Sequence, residues 1–167
     1  MVFNVSVRKV LNCTIDRAFR TPMLCDVTKI HTGFGLMPKI THVKDDDNWG
    51  KPGFSKRIFA DKSWTFVGGE VSSDTVLSRI ENVQWKIQVA DFKSWMLGFS
   101  KFVGEWNVKE LESNRIEVTY SYYLYANVWY LFPLNWLFTN LFWKIYMNWV
   151  LRNIEILILN EEPYLYP

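Results

Sequence analysis

The chain has 167 residues, enough for one domain that buries roughly two-thirds of its unfolded surface, so a second domain is not required. Its 19 basic and 17 acidic residues leave a net charge of +2, which gives no electrostatic footprint for nucleic acid or an anionic membrane surface. Apolar residues make up 49% and aromatic residues 17%, with 9 Trp, 8 Tyr and 12 Phe. That composition excludes a disordered chain and supplies rigid rings for the wall of a large core, cavity or interface.

Met1 to Val5 has neither a basic region nor a long apolar run, which predicts a protein that is not exported and stays in the cytoplasm. The Asn-x-Ser/Thr sites at Asn4 and Asn12 are then idle. From Phe3 to Leu11 apolar and polar residues alternate, the period of a strand. Thr14 reads as the cap of a short helix that Pro22 stops, and a second helical turn runs from Leu24 to about His31, ended by Gly33 and Gly35. Cys13 and Cys25 are too few for a disulfide framework and lack metal-ligand spacing, so both read as reduced thiols, and no metal is expected.

Lys39 to Lys44 alternates again as strand two, with Ile40 and His42 on one side. The segment from Asp45 to Gly53 is a turn by composition. It fails the calcium-loop pattern, with Trp49 and Lys56 at ligand positions, and its Gly50-Lys51-Pro52-Gly53 lies between strands rather than helices, so it is not an RNA-binding GxxG loop. Strand three is predicted from Phe54 to about Val67, with a bulge near Asp61 to Ser63, and Gly68-Gly69 gives a hairpin signal. Strands four and five follow from Glu70 to Glu81 and from Gln84 to Phe92, the latter with Trp85, Ile87, Val89 and Asp91 on one face.

Strand six, about Ser100 to Leu111, sets Phe102, Gly104, Trp106 and Val108 against Lys101, Glu105, Asn107 and Lys109. Strand seven sets Ile116, Val118, Tyr120, Tyr122 and Leu124 against Glu117, Thr119, Ser121 and Tyr123. Val118 to Trp143 carries no charge, but Pro133 and three asparagines interrupt it, so it reads as strand, turn and helix start rather than as a membrane span. After Pro133 a helical period runs to about Asn160. Lys144, Asn148, Arg152 and Glu155 share one sector, and Phe142, Trp143, Tyr146, Trp149, Val150, Ile154 and Leu157 share the other, with Asn153 among them. Its first half, Leu134 to Trp143, is apolar nearly all round, which predicts burial on several sides or a partner surface.

Strand, two short helices, six antiparallel strands and a long helix make an α+β order. Together with the Gly50 to Arg57 turn and strand, and with Gly104-Glu105-Trp106-Asn107-Val108-Lys109-Glu110-Leu111 before Arg115-Ile116-Glu117-Val118-Thr119-Tyr120, this order resembles the START/Bet v 1-like superfamily, in its polyketide cyclase/dehydrase-like branch. The resemblance spans nearly the whole chain. It implies the helix-grip fold, in which a curved antiparallel sheet of about seven strands wraps a long C-terminal helix over an apolar tunnel that takes lipids, sterols, polyketides or other apolar molecules.

The chemistry-bearing residues have to come from the pattern itself. Gly98-Phe99-Ser100-Lys101 and Gly53-Phe54-Ser55-Lys56 lack the fifth glycine of a nucleophile elbow, and no zinc, phosphate or dinucleotide motif occurs, so no cofactor is expected. His42 and Asp91 are the candidate proton carriers, each with a structural alternative: a hydrogen-bonded core histidine and a strand-end carboxylate. Arg57 and Arg79 read as solvent-facing. Trp85, Trp106, Tyr120, Tyr122, Phe142, Tyr146 and Trp149 are the candidate ligand wall, with Asn153 and the tyrosine hydroxyls as orienting groups; a filled core predicts the same alignment. Three functions follow: binding or transport of a hydrophobic or aromatic molecule or lipid, a cyclase/dehydrase-like reaction in the same cavity, or an interaction module whose aromatics from Trp129 to Phe142 dock a partner or form a homodimer.

Overall fold

The computed structural model describes residues 1–167. One seven-stranded antiparallel sheet runs in the order β1-β7-β6-β5-β4-β3-β2, built from β1 (Val2–Leu11), β2 (Ile40–Lys44), β3 (Ser55–Ala60), β4 (Gly69–Ile80), β5 (Gln84–Ala90), β6 (Phe99–Glu112) and β7 (Arg115–Ala126). Two short helices, α1 (Ile15–Leu24) and α2 (Val27–Ile30), follow β1, and α3 (Phe132–Leu137) leads through a π-helical segment (Phe138–Trp143) into α4 (Lys144–Leu159). The longer strands set one apolar face inward by burying alternate residues: Phe3, Val5 and Val7 on β1, Trp85 and Ile87 on β5, Ile116, Val118, Tyr120, Tyr122 and Leu124 on β7. That face and the inner side of α4, with Tyr146, Met147, Val150, Leu151, Ile154 and Leu157, enclose the core. No helix is long and apolar enough to cross a membrane.

Pro22 does not stop α1, which continues to Leu24. A proline inside a helix withholds the N–H that would bond the carbonyl four residues back, here that of Ala18. The Trp106 indole supplies the missing donor, with Nε1 3.0 Å from the Ala18 oxygen. Two other buried tryptophans serve the same helix: Trp85 donates to the Phe19 carbonyl at 2.8 Å and Trp49 to that of Met23 at 2.8 Å. The Leu24 carbonyl takes the N–H of Leu165 from the C-terminal tail. Three tryptophans thus complete a helix end that its own backbone leaves open.

Strand three is shorter than the alternation suggests. β3 ends at Ala60, and over 61–68 the chain leaves the sheet because Ser63 Oγ accepts the backbone N–H groups of Thr65 and Phe66. Gly68 and Gly69, both at positive φ, bring the chain back into β4 rather than forming a two-residue hairpin turn. The irregularity of β3 falls between Ile58 and Phe59, not near Asp61. The second helical turn likewise contracts to Val27–Ile30, capped by Asp26, whose carboxylate accepts from the Thr28 N–H at 2.9 Å.

The long helix contains a π-helical segment, and its first half is inverted. Asn135 and Thr139 are fully buried while Leu134, Trp136, Leu137 and Leu141 are exposed. The Thr139 hydroxyl bonds back to the Asn135 carbonyl at 2.8 Å, but the Asn135 side-chain amide has no partner in the protein. Beyond the segment the expected arrangement holds, with Lys144, Asn148 and Arg152 outside and Glu155 paired to Lys9 on β1.

Candidate functional site

A cavity of about 120 Å³ lies between the sheet and α4, lined by 28 residues of which 22 are hydrophobic. Its walls include Ile58, Ala60, Ile87, Phe102, Trp106 and Tyr120 from the sheet, and Trp143, Tyr146, Val150 and Ile154 from the helix. A space of this size admits a single aromatic ring, as apolar cavities near 150 Å³ do in other proteins. A second cavity of about 180 Å³ adjoins it, lined by Leu36, Thr65, Trp95, Leu97 and Phe138. Met37, Phe66 and Met96 belong to both and form the partition. Met96 and Leu97 hold positive φ without being glycine, so the partition rests on a strained loop.

The polar groups of the inner cavity are His31, Lys56, Ser72, Asp74, Tyr120, Tyr122 and Tyr146. Lys56 is the directly opposite partner of Asp74 across β3 and β4, and both share the inward face with Ile58 and Val76. Lys56 is 3% exposed and is the only buried lysine of the chain. Burial pushes its ammonium down to about 8, with Asp74, Asp46 and Asp26 acting in the opposite direction. The face of Trp49, its centroid 3.8 Å from Lys56 Nζ, also favours the charged form. Burial raises Asp74 to about 6, against the pull of Lys56. His31 is held down to about 4 by burial and by Lys56, so it is neutral at pH 7, and its Nδ1 bonds Tyr146 Oη at 2.6 Å.

The tyrosines form the far wall. Tyr120 Oη donates to Tyr122 Oη at 3.2 Å, and burial pushes the Tyr122 phenol up to about 12 and raises those of Tyr120 and Tyr146 well above the ordinary phenol range. All three are neutral; with Tyr120 donating to Tyr122 and Tyr146 engaged with His31, the Tyr122 hydroxyl is the one that keeps its proton free for a ligand oxygen. Tyr122 lies across Gly104, where an added Cβ would sit 3.0 Å from its ring, so only glycine leaves room for this wall. The buried indole Nε1 of Trp143 has no partner in the protein, which adds a free donor among the cavity-lining residues.

Four residues singled out by the sequence pattern meet at this cavity: Trp106, Tyr120, Tyr122 and Tyr146. The others lie elsewhere. Trp85 stacks on Phe19 beneath α1. Phe142 packs against Gly35 and Phe138, and Trp149 against Phe34, so both pin the loop after α2. Asn153 ties α4 to the end of α2, donating to the Ile30 carbonyl at 2.8 Å. His42 is exposed and stacks on Phe59, because a register shift between Ile40 and His42 breaks the alternation and leaves only Ile40 facing the cavity. Asp91 is exposed at positive φ just beyond β5, where the strand period no longer aims its side chain. Arg57 faces outward to Asp45 and Glu70, while Arg79 bonds Glu81 and covers Trp85.

His31, Lys56 and Asp74 are the groups that alternation did not single out. Ile58 and Ala60 carry the signal that was available for Lys56, since they fix the inward parity of β3 and place Lys56 on it. Val76 does the same for Asp74 on β4. His31 follows a four-residue helix in a loop and has no periodic signal at all.

A curved antiparallel sheet closed over a long C-terminal helix, with two short helices after the first strand, is a helix-grip fold. Among solved structures the chain is similar to a protein of unknown function from Staphylococcus aureus (TM-score 0.73, 11% identity, 96% of each chain) and to Ara h 8.0201 (TM-score 0.68, 12% identity, 96% of this chain and 99% of that one). It is also similar to norcoclaurine synthase from Thalictrum flavum in complex with dopamine and hydroxybenzaldehyde, with a TM-score of 0.66, 10% identity, and 98% of this chain and 90% of that one covered. No family profile and no curated protein matches the sequence.

Proposed function

We propose that this protein binds a small hydrophobic or aromatic molecule that carries one polar group, held in the cavity between the sheet and α4. The observation that carries the reading is the lining itself: 22 hydrophobic residues surrounding a few convergent polar groups. The volume favours a ligand of one or two rings over a long acyl chain, the second ring lying in the adjoining space. Apolar walls supply affinity, and the Tyr122 hydroxyl and the Trp143 N–H orient the polar group. Native mass spectrometry of the purified protein, followed by solvent extraction, is expected to show one such molecule per chain. Val89→Trp, which fills the cavity from β5, should empty it while leaving the circular dichroism unchanged. An empty parent protein, or a ligand that Val89→Trp retains, would overturn the reading.

A second reading, an interface with a second copy of the chain, draws on the inverted face of α3. Trp129, Tyr130, Phe132, Trp136 and Leu141 are all at least half exposed, on a stretch without charge. Sedimentation over a wide concentration range should then show assembly that Trp136→Ser weakens by about tenfold or more, as loss of an aromatic anchor does. A monomer at every concentration excludes it.

A further inference from the structure

The inner cavity holds the only buried lysine of the chain, directly across a strand pair from a carboxylate, in a space sized for one ring. We propose that Lys56 captures a small aromatic or aliphatic aldehyde or ketone as a covalent imine, with Asp74 moving the protons. The inference rests on the ligand-binding reading above and adds the reacting group of the ligand. Lys56 and Asp74 together bring almost no net charge, so a ligand carboxylate would face Asp74 and a ligand ammonium would face Lys56. A neutral carbonyl meets neither penalty. Its oxygen finds donors in the Tyr122 hydroxyl and the free Trp143 N–H. The apolar walls leave few polar groups to hold water beside the product.

The step balances within the cavity. The Lys56 Nζ lone pair forms a bond to the carbonyl carbon while the C=O π electrons move to oxygen, which takes the proton of Asp74. The Asp74 carboxylate then removes a proton from the new C–N centre and returns it to the hydroxyl. The C–O bond breaks, water leaves, and the nitrogen lone pair forms C=N⁺–H beside the Asp74 carboxylate. The reaction needs the free amine, and burial favours that form by drawing Lys56 down to about 8. The titratable groups facing it are Asp74, Asp46 and Asp26, with His31 neutral nearby.

The test uses benzaldehyde with cyanoborohydride, which reduces an imine to a stable benzyl-lysine. Peptide mass spectrometry should place one benzyl group on Lys56 ahead of every exposed lysine, with a rate that is greatest between about pH 6 and 8, where the free amine of Lys56 and the protonated acid of Asp74 coexist most, and that falls toward pH 9. Lys56→Met and the charge-keeping Lys56→Arg should carry no adduct at position 56. Asp74→Asn should slow trapping on the order of a hundredfold, the scale of a lost acid–base group. Binding of benzyl alcohol, which has the ring without the carbonyl, is measured in parallel. If benzyl alcohol binds but Lys56 reacts no faster than surface lysines, the imine is overturned and the ligand reading stands; if neither probe binds, both fall.

Discussion

Asp74→Asn should lose about 2 kcal/mol of stability relative to the parent as the pH falls from 6.5 to 4, because two opposed titrations in the cavity no longer offset each other. His31 titrates at about 4 in the folded protein, below its ordinary 6.5, so the unfolded chain takes up that proton first and stability falls with falling pH. Asp74 titrates at about 6, above its ordinary 3.8, so over nearly the same interval the folded protein takes up the proton first and stability rises. The parent curve is therefore nearly level where the two windows overlap. Asparagine removes the rising half. It also deprives Lys56 of its facing carboxylate, which lowers that ammonium further and adds to the loss. Glu81, whose pKa is lowered with Arg79 and Arg20 bonded to it, contributes equally to both proteins. Urea unfolding at half-unit pH steps reads the difference, and parallel curves for the two proteins would refute the opposition.

Trp106→Leu should cost about 3–5 kcal/mol, more than its lost packing alone, because it removes both a cavity wall and the donor that Pro22 made necessary. The Ala18 carbonyl is then buried without a partner. The milder Trp106→Phe keeps the packing, loses the N–H, and isolates that cost at about 1–3 kcal/mol. Pro22→Ala provides the signature of the mechanism. It restores the backbone N–H four residues beyond Ala18, so it should recover about 1 kcal/mol in the Trp106→Phe background and less in the parent. Equal effects of Pro22→Ala in the two backgrounds, measured by chemical denaturation, would show that the indole and the proline are not coupled.

Both expectations turn on residues whose roles the sequence reveals unevenly. Alternation on β1, β5, β6 and β7 was legible because each strand sets an apolar face against a charged or hydroxyl-bearing one, and the inward tyrosines of β7 follow from it. The order of elements and the amphipathic half of α4 were legible for the same reason. Lys56 was not, since two adjacent cations at 56 and 57 leave the parity of β3 to be decided by Ile58 and Ala60. His42 failed through backbone geometry: one register shift after Ile40 removes it from the cavity, and nothing in the composition of Ile40-Thr41-His42 announces the shift. Pro22 was read by its local rule, whereas the donor that relieves it is 84 positions away at Trp106. Local patterns carried the framework, and long-range hydrogen bonds placed its polar contents.

The partition between the two spaces consists of Met37, Phe66 and Met96, two thioethers and a phenyl ring. Their side chains have no strong hydrogen bond to break, so passage between the chambers calls for rotamer changes rather than the opening of a strand. Such steps are fast compared with strand separation. Exchange between the two spaces is therefore set by side-chain traffic at three positions. Replacing Met37 with a β-branched residue would leave the equilibrium contacts of the inner wall largely in place while lengthening the time a molecule takes to pass between the two spaces.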